Sequence, residues 1–166
     1  MSAPQTVEHT ITLINYEPRN GRLPGILAPK ILSVTEIRTK DAAADEATVT
    51  KTLFKDNNVE SDKKVAPMSV SALSNVLALV DELKGLPVQE FGGRDLFGSN
   101  TAVEVREGKM PVWGYTPSMV GGCGAFDPEE EEEEEGGDNF EANDAHKVEF
   151  GRIINSIEEA TNASFI

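Results

Sequence analysis

Seven consecutive glutamates, Glu129, Glu130, Glu131, Glu132, Glu133, Glu134 and Glu135, are the strongest chemical signal in this 166-residue sequence. Pro128 precedes them and Gly136-Gly137 follows, so helix breakers stand at both ends. Every i,i+3 and i,i+4 pair inside the run repels, which offsets the good helix propensity of glutamate. Self-repulsion favours a solvated, extended stretch. Such a loop needs no ligand, and that is the plainest expectation. Three functional expectations stand beside it. The run can dock electrostatically on a basic groove of a partner protein, an attraction that salt screens. In an extended chain alternate glutamates lie about 6.6 Å apart on one side, a row of charge that imitates a nucleic-acid backbone. Carboxylates also suit calcium and magnesium. Residues Asp138 to Asp144, however, lack the central glycine and terminal glutamate of a calcium loop.

Nucleophilic chemistry has little to work with. The only cysteine is Cys123 and the only histidines are His9 and His146. A Cys123–His146 pair would need a base or positive field to make the thiolate, and the surrounding acids oppose it. His9 shares a strand face with Val7 and Ile11, the pattern of a half-buried structural histidine. Gly93 to Gly98 has the spacing of a phosphate loop, but Ser99 stands where that motif requires lysine. Gly121 to Gly124 lacks the strand and helix of a dinucleotide site. Asn162-Ala163-Ser164 fits a glycosylation acceptor only by coincidence, there being no export signal to read. No catalytic residue, cofactor or metal site is expected.

A second candidate surface is aromatic. Phe91, Arg94, Phe97, Trp113 and Tyr115 fall in a glycine-rich part of the chain. Such residues usually plug the core beneath loops. The alternative is a protein interface, where aromatic residues and arginine are enriched.

The elements that must hold these groups follow from composition and period. The net charge is −14, yet Asp127 to Ala145 holds eleven acids and no base. The rest keeps 18 of the 29 acids against 15 bases, a balance of −3. A nearly neutral body does not replace phosphate counterions over its whole surface, so direct nucleic-acid binding is not expected. The longest aliphatic run, Val76 to Val80, is far short of the ~20 residues of a membrane span. With no signal peptide visible in Met1 to Thr10, a soluble, cytoplasmic protein is expected.

Period-two alternation predicts strands at Thr6–Tyr16, Lys30–Thr39, Ala47–Lys55, Thr101–Glu107 and Met110–Tyr115, with Pro111 confining the last to an edge. The second and third should pair antiparallel, and Gly108 should turn the fourth into the fifth. Asn57 to Ala66 reads as a polar linker. Leu73, Val76, Leu77, Val80, Leu83 and Lys84 recur at helical spacing. Ser69 or Ser71 can cap that helix, and Gly85, accepting a left-handed conformation, should end it before Pro87. A last helix should begin near Asn143 or Asp144 and bury Phe150, Ile153, Ile154, Ile157 and Ala160. Residues 1–166 thus read as one α+β domain, a mainly antiparallel sheet of four or five strands packed by two helices, with 127–145 an acidic insertion. The expected function is a non-catalytic binding or assembly protein acting through protein–protein contacts, as a homo-oligomer or a subunit of a larger complex. An acidic inhibitor that occupies a basic nucleic-acid groove is the alternative, and an enzyme of unrecognised type the third.

Overall fold

Alternating β-branched residues build the first hydrogen-bonded ladder, and everything else is assembled upon it. The computed structural model describes residues 8–17, 30–39, 46–55, 58–87, 97, 99–115 and 143–166, with the backbone alone at Tyr115. In chain order these form β1 (His9–Glu17), β2 (Lys30–Thr39), β3 (Ala47–Phe54), β4 (Glu60–Met68), α1 (Val70–Lys84), β5 (Thr101–Glu107), β6 (Met110–Tyr115) and α2 (Asp144–Ala163). The six strands make one sheet in the order β4-β3-β2-β1-β5-β6, and every neighbouring pair is antiparallel. The expected α+β architecture, an antiparallel sheet with two helices, is therefore present.

Its sixth strand, β4, occupies the segment expected to be a linker. Only Ala66 and Met68 are buried there, while Lys63, Lys64 and Pro67 are exposed. Lysine and proline are residues that guard an edge against further pairing. The opposite edge, β6, carries Pro111 as expected. Gly108 adopts φ +59° at the β5–β6 turn and donates its N–H to the Glu8 carbonyl at 2.7 Å.

One face of the sheet carries the core. Ile11 and Leu13 of β1, Ile37 of β2, Val49 of β3, Met68 of β4, Val103 and Val105 of β5 and Trp113 of β6 are all buried. Against them lie Leu73, Val76, Val80 and Leu83 of α1 and Phe150, Ile153, Ile154 and Ile157 of α2. Each such large side chain contributes ~1.5–3 kcal/mol by leaving water. Ala160 is only partly buried. Lys84, expected on the apolar stripe of α1, is instead exposed. Its ammonium lies 3.6 Å from Glu107 and 4.0 Å from Asp81, as the polar end of a long stem allows.

The helix ends follow their capping chemistry. Ser69 accepts from the Ala72 N–H at 3.3 Å, and Asn143 accepts from the His146 N–H at 2.9 Å. Gly85 departs from expectation, lying at φ −80° in the right-handed region. Its N–H donates to Glu82 O, and Leu86 N–H donates to Leu83 O. Tightened i→i−3 turns thus end α1 without a left-handed residue.

A polar cluster fixes α2 on the sheet. Asn15 donates to Glu158 Oε1 at 2.6 Å, and its carbonyl oxygen accepts from Thr101 Oγ1 at 2.9 Å. One side chain of β1 thereby ties β5 and α2 together. Arg152 joins the helices from outside, binding both Glu82 and Glu149.

Candidate functional site

Because both helices lie on one face, the residues that alternate with the core point to the other. The register places them in rows. Thr10 of β1 stands between Arg38 of β2 and Arg106 of β5; Thr12 stands between Glu36 and Glu104. In the next row Ile14 lies between Val34 and Ala102. Residues on the two strands flanking β1 are roughly 9.6 Å apart, twice the strand spacing. A row of two guanidinium groups thus runs beside a row of two carboxylates, with a threonine at the centre of each. An apolar row follows.

The repeated unit is a Glu-x-Arg triplet, Glu36-Ile37-Arg38 on β2 and Glu104-Val105-Arg106 on β5. The middle residue of each is buried in the core, which forces its charged neighbours outward. β2 and β5 are both antiparallel to β1 and hence run in the same direction, so the two triplets repeat in the same orientation. Arg38 pairs with Glu36 at 3.1 Å and with Glu8 at 3.3 Å, and Arg106 pairs with Glu104. The arginine side chains remain about half exposed, at 56% and 49%. Each guanidinium has five N–H donors, so an in-chain carboxylate leaves donors for a second acceptor. These rows line a depression of about 510 Å³.

A smaller cleft of about 210 Å³ opens where α1 meets the ends of β1 and β5, bringing His9 near Asp81, Lys84 and Glu107 over an apolar floor. The His9 N–H donates to Thr39 Oγ1 at 2.9 Å, and the residue is half-buried. Among the described residues no three of histidine, cysteine, aspartate and glutamate gather as a metal ion would require. Among them, too, no helix is long and apolar enough to cross a membrane.

The residues singled out from sequence are distributed unevenly. Glu129, Glu130, Glu131, Glu132, Glu133, Glu134 and Glu135 lie outside the described residues, as do Phe91, Arg94 and Cys123 and the side chain of Tyr115. Phe97 and Trp113 are in the core, 5% and 4% exposed. The Phe97 ring stacks on Phe150 with centroids 4.2 Å apart and planes 6° from parallel. These two are buried, as residues that plug a core are. Among the described residues the Trp113 indole N–H finds no hydrogen-bond partner. His146 sits in the first turn of α2, partly exposed.

Sequence reasoning missed the charged rows. Their signal was available: charge at alternate positions of two strands, separated in each case by a β-branched residue. No protein-family model matches the chain, and no curated protein or solved structure is significantly similar to it.

Proposed function

We infer that this chain is a non-catalytic binding or assembly protein, and that the face of its sheet left open by the described helices is a protein-contact surface. The observation that carries this is the pair of charged rows around Thr10 and Thr12, half-exposed on strands whose other side is locked into the core. A rigid platform loses little conformational entropy on binding, which favours affinity. Alternating charge specifies orientation by penalising a misplaced partner. The charged, ladder-like lining suits a macromolecular surface better than a small ligand, which a mostly apolar pocket holds more effectively.

The test is to obstruct the face without disturbing the core. Thr12→Arg adds a long cation at its centre. Wild-type and variant proteins are used in parallel affinity captures from the native source, with thermal melts as the folding control. A stoichiometric partner held by the wild type and lost by the folded variant supports the reading. Identical recovery by both overturns it.

The seven glutamates favour a second reading, an acidic inhibitor that occupies a nucleic-acid-binding groove of another protein. Glu-to-Gln changes across the run would then release nucleic-acid binding by that protein. Inhibition that survives those changes would dismiss the mimic.

A further inference from the structure

We propose that the open face is self-complementary and that its occupant is a second copy of this chain, docked face to face about a two-fold axis. This deepens the protein-contact reading and rests on it.

The charge rows choose the geometry. In a face-to-face pair related by a two-fold axis, that axis lies in the plane of contact. One direction for it runs across the strands, midway between the Thr10 row and the Thr12 row. Rotation about that axis exchanges the two rows. Arg38 of one copy then stands over Glu36 of the other, Arg106 over Glu104, and the reciprocal contacts follow by symmetry. An axis along β1 would instead set Arg38 over Arg106 and Glu36 over Glu104, a clash of like charges in both rows. The pattern therefore favours one arrangement and rejects the other, which is how an interface gains specificity.

Distance and chemistry agree with this arrangement. Facing sheets pack about 10 Å apart, a gap that opposed arginine and glutamate side chains can span. Arg38 already holds two carboxylates of its own chain and Arg106 one, and the second copy supplies another on the remaining donors. Isologous contact between identical patches is the commonest form of protein assembly. The lining of the depression on this face holds three carboxylates, Glu8, Glu36 and Glu104, and two guanidinium groups, Arg38 and Arg106. That balance gives no strong attraction to a purely acidic or purely basic partner, whereas it suits a surface of the same mixed pattern.

The contact is weak by construction. Six strands spaced about 4.8 Å apart and seven residues long present a flat projection of roughly 600 Å². Standard interfaces bury about 800 Å² on each partner. Glu8, at the start of the β1 segment, falls opposite the apolar row of the second copy and opposes it further.

Charge reversal tests the geometry directly. Arg38→Glu with Arg106→Glu makes both rows acidic, and Glu36→Arg with Glu104→Arg makes both rows basic. Full-length proteins are followed by size exclusion with light scattering from about 1 µM to about 1 mM, the range a polar interface of this size reaches. The wild type should rise toward twice its 17.9 kDa mass. Each reversed protein alone should stay at single-chain mass, and an equimolar mixture of the two should regain the doubled mass. A wild type that stays monomeric throughout overturns the proposal. So do reversed variants that still self-associate, or a mixture that fails to recombine. Should either variant fail to fold, the salt dependence of the wild-type pair decides instead. Charge-paired rows require weakening as salt screens them, and salt-independent association rejects them.

The two failures can be told apart. A monomeric wild type whose Thr12→Arg variant still loses some other protein removes the second copy and leaves the contact surface standing. A monomeric wild type with no partner lost on Thr12→Arg removes both.

Discussion

The two faces of this sheet are made from the same strands, one residue apart, and they obey different rules. On the helix side, Ile11, Leu13, Ile37, Val49, Val103 and Val105 are at most 1% exposed. On the other, Thr10, Thr12, Glu36, Glu104 and Arg106 keep contact with solvent. A one-residue slip of any strand would exchange them, burying glutamate and arginine under the helices. The apolar face therefore fixes the register, and the fixed register aligns the charges opposite. Order on the open face is a by-product of packing on the closed one. What the open face adds is a pattern that stability alone does not demand.

That contrast is most exposed to test at Phe150. Its ring is wholly buried, stacked on Phe97 beneath α2. Phe150→Ala should cost about 3–5 kcal/mol through lost transfer energy and the cavity left behind. In a chain of this size each kcal/mol moves Tm by ~2–4 °C, so a drop of roughly 6–20 °C is expected in a calorimetric melt. A drop of only a degree or two would mean that the helix-covered face is not the source of stability.

Asn15 sits where apolar packing gives way to specific hydrogen bonds. Asn15→Ala removes the bonds to Glu158 and Thr101 and leaves a carboxylate and a hydroxyl short of partners. A bond to a charged group is worth about 1.5–3 kcal/mol, more when its partner is stranded. The expected loss is about 2–3 kcal/mol by denaturant titration. Hydrogen exchange should speed up at the C-terminal half of α2 more than at α1. Uniform acceleration would show that Asn15 does not seat α2 in particular.

How much of this is legible in the sequence depends on which face a residue serves. α1 is readable because Leu73, Val76, Val80 and Leu83 must share one side of a helix. β1, β2 and β3 are readable because burial on one face only produces clean alternation. β4 is not, since its apolar signal shrinks to Ala66 and Met68 beside an edge guarded by lysine and proline. Pairing with β3 makes it a strand, a long-range contact that no local window contains. The charged rows are legible only in part. Glu104 and Arg106 alternate visibly, but their alignment with Glu36 and Arg38 requires β1 to lie between β2 and β5. That is a fact of topology, and the 65 residues separating the triplets give no hint of it.

A smaller effect belongs to the helix layer. The Arg152 guanidinium beside Glu149 holds that carboxyl below its ordinary value. A carboxyl whose folded pKa is lowered contributes stability that is present above its unfolded pKa, and that stability disappears as pH falls through the folded value. Arg152→Gln removes this contribution. Wild type and variant should differ at neutral pH and converge in acid below the ordinary carboxylate range. Melts recorded across that range check the sign, and a difference that grows on acidification would refute it.

The smallest effect is expected on the open face, and its smallness is what sharpens the comparison. Arg106 is half exposed, and its ion pair with Glu104 lies at the surface. Exposed pairs contribute about 0–1 kcal/mol, and long side chains give back entropy when released. Arg106→Ala should therefore shift Tm by no more than ~4 °C. In the proposed two-fold pair the same change would remove a contact from each side, so the concentration at which the doubled mass appears should rise clearly. Stability unmoved and association weakened would separate the roles of the two faces in a single variant. A large stability loss would instead return Arg106 to the fold and strip the open face of its separate purpose.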